Sequence, residues 1–332
     1  ATVVADNAFK GCKNLMKVII PSTLQEIGSD AFNACTSLET FDTSKSSIFL
    51  FEGGVLLFNG NLHTIPVKTS SVIVPATANE IPSKIFRNHY SLMSVEFKTG
   101  ASVLAIPDGC FYGCSNLREV HLAANIVSIG AGAFDGCTKL SQLSVDDESD
   151  MKSIGDRALR GTGLLEFYIP DSVQTIGAEA FSECNILGLM YVSDHSELES
   201  LGDFAFSSTS IRAMHIPKNV TSIGQFCFDG CNLLSTITIS DDNGRYDVRG
   251  GALYCGSKLL FVPSSVVSLQ IPSDVDSFEQ KYVHSTSASH SYSAFGAASS
   301  LECITVESGN KAFSSCNGIL LNQDGTRVVY VP

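Results

Sequence analysis

LLEFYIPDSVQTIGAEAFSEC, residues 164 to 184, contains the pattern that decides the fold of this chain. An alternating apolar stretch ends at Pro170, a second apolar pair and Gly177 follow, and then come Ala180-Phe181 and, three residues on, Cys184. The Ala-Phe pair recurs along the chain as Ala8-Phe9, Ala31-Phe32, Ala133-Phe134, Ala180-Phe181, Ala205-Phe206 and Ala294-Phe295. The aliphatic residues that begin successive copies are mostly 23 to 25 residues apart. A fixed period of this length indicates a repeat architecture.

A single copy of the repeat cannot bury its own apolar side, whereas stacked copies cover one another. The sequence therefore predicts a solenoid, in which one domain runs from residue 1 to residue 332 in about twelve turns. The chain starts and stops within the repeat pattern, without the polar copies that normally cap a solenoid. We therefore expect it to be a fragment of a longer protein.

Each copy is expected to begin with a short strand. In the first copy, Val18 and Ile20 point inward while Lys17 and Ile19 face out, because side chains alternate along a strand. Pro21 ends the strand because proline has no backbone N–H to donate. We expect the glycine after the second apolar pair to turn the chain through a backbone conformation that a Cβ would hinder. The Ala-Phe pair is then expected to return to the core on a short helical turn.

The chain has eleven cysteines, and they form no recognisable disulfide framework. Six of them occupy one position of the repeat, namely Cys12, Cys35, Cys114, Cys137, Cys184 and Cys231. A small residue that faces the core explains this position, because free cysteine is among the most buried residue types. Cys110 and Cys114, and likewise Cys227 and Cys231, have a zinc-like spacing that the repeat register already explains. We predict no metal site and no cofactor.

The chain is acidic, with 34 Asp and Glu residues against 21 Lys and Arg residues and a net charge of −13. Nucleic acid is therefore excluded as a partner, because it requires clustered basic residues along one face. Insertion into a membrane is not expected, because no apolar run approaches the length of a bilayer span. The acidic residues that follow predicted strands are interpreted as solvated turn residues: Asp146, Asp147, Glu148, Asp150, Asp241 and Asp242.

Three segments depart from the plain repeat and share one design. Residues 51–66, 248–263 and 316–332 each contain two apolar strands around a Gly, Asn or Asp turn, which predicts a β-hairpin. A fourth departure, residues 279–292, is rich in serine and includes His284 and His290. We interpret it as a flexible insertion rather than a ligand loop, although loops on a rigid scaffold often bind ligands.

The pattern L-x-x-I-x-I-P-x-x-V-x-x-I-G-x-x-A-F-x-x-C, seen in full from Leu164 to Cys184, resembles the BspA-type leucine-rich repeat, which is related to the treponemal type. The resemblance covers essentially the whole chain. It implies an α/β, β-rich leucine-rich-repeat solenoid, a right-handed superhelix with a parallel sheet on one face, short or helical turns and three hairpin-like insertions. It also implies a cell-surface or secreted protein, since members of the family resemble adhesins for host matrix proteins.

Solenoids bind ligands along the sheet, where out-facing side chains of successive strands align in columns. One predicted column contains, in chain order, Ile73, Glu96, His121, Ser144, Tyr168, Tyr191, His215 and Thr238. Tyr168, Leu189, Tyr191 and His215 fall within three consecutive turns, and exposed tyrosines of this kind are frequent hot spots of binding. We therefore predict a ligand-binding surface of Tyr168, Leu189, Tyr191, His215, His121 and Glu166. The alternative interpretation is cross-strand stacking that only stabilises the sheet.

No catalytic motif is present, and the seven histidines are scattered over different turns. The sequence therefore predicts a non-catalytic solenoid that binds a protein or a glycan, with an adhesin-like role. Two alternatives stay open, an intracellular protein-interaction scaffold and the repeat portion of a larger enzyme. Asn219-Val220-Thr221 is a candidate glycosylation sequon, with an ordinary turn asparagine as the alternative. The sequence does not predict an oligomeric state.

Overall fold

A computed structural model describes residues 1–28, 30–100, 102–146, 148–284 and 289–332, with the backbone alone for residues 281–284 and 289–291. The chain divides into two compact units, Ala1–Leu164 and Leu165–Pro332. We call them unit 1 and unit 2 and describe each by itself. That the chain forms one continuous domain stays a prediction.

The strands of unit 1 are short. They are β1 (Val3–Val4), β2 (Lys17–Ile19), β3 (Glu26–Ile27), β4 (Thr40–Asp42), β5 (Phe49–Glu52), β6 (Val55–Phe58), β7 (Asn61–Thr64), β8 (Ser71–Val74), β9 (Ser94–Phe97), β10 (Ala105–Ile106), β11 (Glu119–Leu122), β12 (Ser128–Ile129), β13 (Gln142–Val145) and β14 (Ser153–Ile154).

Unit 2 continues the same alternation of elements. Its strands are β15 (Glu166–Tyr168), β16 (Thr175–Ile176), β17 (Leu189–Tyr191), β18 (Ser200–Leu201), β19 (Ala213–Ile216), β20 (Ser222–Ile223), β21 (Thr236–Ile239), β22 (Tyr246–Arg249), β23 (Ala252–Cys255), β24 (Lys258–Phe261), β25 (Ser268–Ile271), β26 (Ser277–Phe278), β27 (Gln280–His284), β28 (Ser289–Ser293), β29 (Cys303–Val306), β30 (Phe313–Cys316), β31 (Ile319–Asn322) and β32 (Val328–Tyr330).

Each unit is a β-solenoid with a principal parallel sheet face. In unit 1 this face consists of the pair β2-β4 and the continuous sheet β8-β9-β11-β13, and in unit 2 of the pairs β15-β17, β19-β21 and β25-β29. Within the described residues each unit thus contributes six such strands, which agrees with the predicted number of turns. Two-residue strands form a second parallel sheet, β10-β12-β14 in unit 1 and β16-β18-β20 in unit 2.

The core of each unit is built from the phenylalanine and cysteine residues that recur in most copies of the repeat. Phe111 and Phe134 stack with ring centroids 5.0 Å apart, and Phe181 and Phe206 stack at 5.3 Å. All four rings are fully buried, as is Cys137. Burial of a phenylalanine side chain stabilises the fold by about 1.5–3 kcal/mol, so the stacked column of rings is a main source of stability.

The recurring cysteines do more than fill space. The thiol of Cys137 donates to the Phe111 carbonyl oxygen at 3.1 Å, and the thiol of Cys231 donates to the Phe206 carbonyl oxygen at 3.0 Å. In each case the acceptor is the repeat phenylalanine of the preceding turn. Thr162 and Thr209 occupy the same position in two other turns and are also buried. The position therefore mostly holds a small hydrogen-bond donor, and it also accommodates His89 and Ala298.

The repeat glycines are required by the close approach of neighbouring turns. A Cβ on Gly202 would lie 2.4 Å from the backbone nitrogen of Ala178, and one on Gly224 would lie 2.3 Å from that of Asp203. Neither glycine has a positive φ. The expected reason, a special backbone conformation, is therefore wrong at these two positions, since contact between stacked backbones excludes the side chain.

The Ala-Phe segment forms consecutive β-turns where a helical turn was expected. Glu179 and Glu183, on either side of Ala180-Phe181, have φ values of 54° and 63°. Left-handed residues interrupt a right-handed helix. The Ser182 N–H donates to the Glu179 carbonyl at 3.1 Å, whereas the Phe181 N–H donates to the Ala205 carbonyl of the next turn at 2.8 Å. Alternate N–H groups therefore join neighbouring turns, which a helix does not allow.

The three predicted hairpins are present, and each has one strand more than predicted. They are the antiparallel sheets β5-β6-β7, β22-β23-β24 and β30-β31-β32. The insertion at residues 279–292 pairs β27 with β28 as an antiparallel hairpin, with Gln280 opposite Ser293. The side chains of His284 and His290 lie outside the described residues.

Candidate functional site

Two tyrosines stand in register on the sheet face of unit 2. In the parallel pair β15-β17, Glu166 lies opposite Leu189 and Tyr168 lies opposite Tyr191. The tyrosine rings stack with centroids 4.6 Å apart and an angle of 16° between their planes. Tyr168 is 72% exposed, Leu189 47% and Tyr191 37%. The predicted column is therefore present here, with a large aromatic surface open to solvent. Because side chains alternate, the residues between them face the core.

His215, on the next strand of this face, is held by polar side chains of neighbouring turns. Its Nδ1 lies 2.9 Å from Thr238 Oγ1, and its Nε2 lies 3.1 Å from Ser240 Oγ and 3.0 Å from Asp194 Oδ1. Ser240 donates to the same Asp194 oxygen at 2.9 Å. The hydrogen bond from Ser240 and the charge of His215 lower the pKa of the Asp194 carboxyl. The carboxylate is therefore ionised and fixed beside the imidazole.

The sheet face of unit 2 is interrupted between the tyrosines and His215. β15 pairs with β17 and β19 pairs with β21, but β17 and β19 belong to separate sheets. An open depression lies at this interruption, and its lining includes Tyr168, Tyr191, Ser193, Ala213, His215 and Thr238. Five of the six predicted surface residues, all except His121, thus lie on strands on either side of one depression.

His121 belongs to unit 1, where it forms a cluster of similar design. Its Nδ1 lies 2.8 Å from Ser144 Oγ, and its Nε2 lies 2.8 Å from Asp146 Oδ1. Asp146 Oδ2 accepts from the Thr99 hydroxyl at 3.4 Å and from the Ala124 N–H at 3.3 Å. The interpretation of Asp146 as a solvated turn residue is therefore wrong, because it joins three turns. Asp147 lies outside the described residues.

Two further residues of this kind were missed by sequence reasoning, Asp194 and Ser240. They are 46 residues apart in the chain and follow different strands. The only signal available was their place two or three residues after an out-facing column position, where the ends of neighbouring parallel strands meet. That signal is weak because most turns carry a polar residue there.

Asn219 has a structural partner. Its side-chain Nδ2 donates to the carbonyl oxygen of Ser196, in the preceding turn, at 2.9 Å. A glycan would replace one of the two hydrogens on this part-buried nitrogen, whose other hydrogen is bound to Ser196, so the geometry favours the ordinary turn residue over the glycosylated one. Within the described residues, no group of three or more His, Cys, Asp or Glu side chains is arranged to hold a metal ion.

The stacked parallel strands, the phenylalanine core and the in-register columns define a leucine-rich-repeat solenoid. The family model for the BspA-type leucine-rich repeat region matches residues 1–70, 66–188, 152–288 and 188–320. The chain therefore belongs to the BspA-type leucine-rich repeat family. Among the described residues, no helix is long and apolar enough to cross a membrane.

Solved structures show the same fold. The chain is 22% identical to a leucine rich cell surface protein of Faecalibacterium prausnitzii, with a TM-score of 0.55 over 71% of this chain and 73% of that one. It is 24% identical to a leucine-rich repeat protein of Bacteroides ovatus, with a TM-score of 0.50 over 84% of this chain and 64% of that one. The chain thus corresponds to part of each, and at these identities the likeness shows the fold alone. Among curated proteins, none matches the chain.

Proposed function

We propose that the chain is a non-catalytic, adhesin-like binding module of a cell-surface or secreted protein. Its ligand is a protein or a glycan, which it binds on the sheet face of unit 2 around Tyr168 and Tyr191. Membership of the BspA-type family supports a repeat that binds other molecules. The fold relative from Faecalibacterium prausnitzii, described as a cell surface protein, is in keeping with the location.

The exposure of the stacked tyrosine pair is the observation that carries this proposal. Cross-strand stacking alone contributes about 0.2–1 kcal/mol to a sheet, and Tyr168 remains 72% exposed within the stack. Most of its ring surface is therefore unused by the fold. Tyrosine presents such an area to a ligand at low entropic cost, which is why it is frequent at hot spots.

The test compares the capture of a panel of possible ligands by the chain and by a variant with both tyrosines changed to alanine. The panel consists of extracellular-matrix proteins, epithelial cells and an array of neutral glycans. We expect at least about a tenfold loss of capture in the Tyr168→Ala, Tyr191→Ala double variant, with the thermal transition nearly unchanged. Tyr90→Ala is the matched control, because Tyr90 is 59% exposed in unit 1. Equal capture by the double variant and the unaltered chain contradicts the proposal.

A second candidate function, an intracellular protein-interaction scaffold, is favoured by the cysteines. All eleven are free thiols, and seven of them are buried. Free thiols are typical of a reducing compartment. Burial also raises the pKa of the Cys114 and Cys231 thiols to about 11. This would protect them from oxidation in an oxidising compartment as well, because the thiolate is the reactive form. Fractionation of the producing cells with an antibody to the chain separates the two candidates.

A further inference from the structure

The depression in unit 2 lies where the ladder between β17 and β19 is missing. β17 and β19 are neighbours in the chain's order of turns but do not pair, and the Arg212 N–H reaches the Gly188 carbonyl at 3.3 Å beside the gap. Ala213 lies at the start of β19, where the neighbouring turns have Leu189 and Thr236. A methyl group in place of these larger side chains leaves the floor of the depression open.

One wall of the depression is aromatic. Tyr168 stacks on one side of the Tyr191 ring at 4.6 Å, and the turn that contains Ala213 and His215 follows on the other side. The second face of Tyr191 therefore borders the depression. The π-electron face of a tyrosine attracts a cation placed within about 6 Å of the ring centre.

The opposite wall is polar, and the Asp194 carboxylate, which follows β17 on the Tyr191 side, contacts it through His215 Nε2 at 3.0 Å. The imidazole of His215 contacts Thr238 and Ser240 of the following turn and Asp194 of the preceding turn. Asp194 accepts bonds from Ser240 and His215 through Oδ1, yet its side chain is 76% exposed. The carboxylate is thus fixed in position and still accessible to a ligand.

The surroundings at this end of the strands are acidic. Asp241 and Asp242 follow β21 and are exposed, as is Asp194, whereas Lys218 is the basic residue that follows β19. Arg212 precedes the opposite end of β19, three residues before His215, which corresponds to about 10 Å along a strand. The net charge of the chain, −13, adds to a potential that attracts cations.

We propose that this depression binds the guanidinium group of an arginine side chain on a protein ligand, stacked on Tyr191 and paired with Asp194. The inference rests on the proposed function and names the chemistry that its binding surface recognises. Arginine fits better than lysine because its guanidinium is planar, stacks on aromatic rings and bonds a carboxylate in bidentate fashion.

The probe is a soluble twelve-residue Gly-Ser peptide with four arginines, compared with the same peptide containing citrulline, which has nearly the same shape and no charge. Binding is measured by calorimetry in low salt and again in moderate salt. We expect the arginine peptide to bind at least about tenfold more tightly than the citrulline peptide and to weaken as salt increases. We expect Tyr191→Ala and Asp194→Asn each to weaken it at least about fivefold.

Three further variants locate the binding and guard against misfolding. Tyr191→Phe keeps the ring face and should keep binding within about twofold. Tyr90→Ala and Asp146→Asn change a matching tyrosine and a matching carboxylate of unit 1 and should have no effect. The inference is overturned if the citrulline peptide binds as tightly as the arginine peptide. It is also overturned if the unit 1 variants lose as much affinity for the arginine peptide as Tyr191→Ala and Asp194→Asn do. Tyr191-dependent capture of a neutral glycan without arginine-peptide binding also overturns it, while leaving the proposed function intact.

Discussion

The sheet faces of the two units carry columns of the same design that present different surfaces. The unit 1 column is Ile73, Glu96, His121 and Ser144, and the unit 2 column is Tyr168, Tyr191, His215 and Thr238. In both, the histidine Nδ1 contacts a hydroxyl of the following turn, at 2.8 Å in unit 1 and 2.9 Å in unit 2. The carboxylate beside Nε2 comes from the following turn in unit 1 and from the preceding turn in unit 2.

The columns differ at the two positions before the histidine, where unit 1 has Ile73 and Glu96 and unit 2 has Tyr168 and Tyr191, and in the continuity of the sheet. In unit 1, Glu96 pairs with Lys98, and the ladder runs unbroken through β8, β9, β11 and β13. In unit 2 the corresponding residue is Tyr191, and the ladder stops after it. The inward residues of the repeat thus maintain the fold in both units, while two outward residues and the missing ladder between β17 and β19 give unit 2 a recessed aromatic face.

The largest effect is expected from exchanging the residues that distinguish the columns. Tyr191→Glu should reduce ligand capture by unit 2 at least about tenfold, because it removes the ring on which the ligand stacks. Glu96→Tyr should create no capture in unit 1, because the sheet there continues on both sides of Glu96 without the interruption that follows Tyr191. Both changes are at the surface, and each removes one contact between side chains, so they should alter the free energy of unfolding by no more than about 1 kcal/mol. New capture by Glu96→Tyr would show that the tyrosine alone, without the interruption, is sufficient.

The sequence predicts the columns and the core well because both follow from the repeat period. Tyr168 lies opposite Tyr191 as predicted, and Phe134 and Cys137 are fully buried. The interruption after β17 could not be predicted, since the spacing of 24 residues from Leu187 to Ile211 lies within the range seen where the ladder is continuous. Contacts between turns, such as that of Asp194 with Ser240, depend on which strand ends meet. A linear pattern does not contain that information.

The second prediction concerns the buried core of unit 1, whose stability should fall when one thiol donor is removed. Cys137→Ala removes one of two donors to the Phe111 carbonyl oxygen, which keeps the Cys114 N–H at 3.0 Å, and it opens a small cavity. The change should lower the free energy of unfolding by about 1 kcal/mol. Cys137→Thr should cost less, because Thr162 and Thr209 occupy this position elsewhere in the chain. Urea unfolding of both variants measures the difference. If alanine is tolerated as well as threonine, the position selects size alone.

The smallest effect concerns pH and again separates the units. His89 of unit 1 occupies the repeat's cysteine position, three residues after Phe86, and its Nε2 lies 3.1 Å from the Pro66 carbonyl oxygen. Burial lowers the pKa of His89 below its ordinary value of 6.5. In unit 2 the same position holds Cys231, whose pKa burial raises to about 11, so it does not titrate between pH 5 and pH 8.

Because the pKa of His89 is lower in the folded state, the unfolded chain binds more protons as the pH falls below about 6.5. Its contribution to stability is therefore complete above that pH and is progressively lost below it. His89→Cys restores the residue usual in the repeat and removes the titration. Urea unfolding at pH 7.5 and pH 5 should show a smaller loss of stability for the variant than for the unaltered chain. Equal losses of stability in the variant and the unaltered chain would assign the acid sensitivity to other groups. His63 of unit 1 would then be the next residue to substitute, since burial lowers its pKa as well.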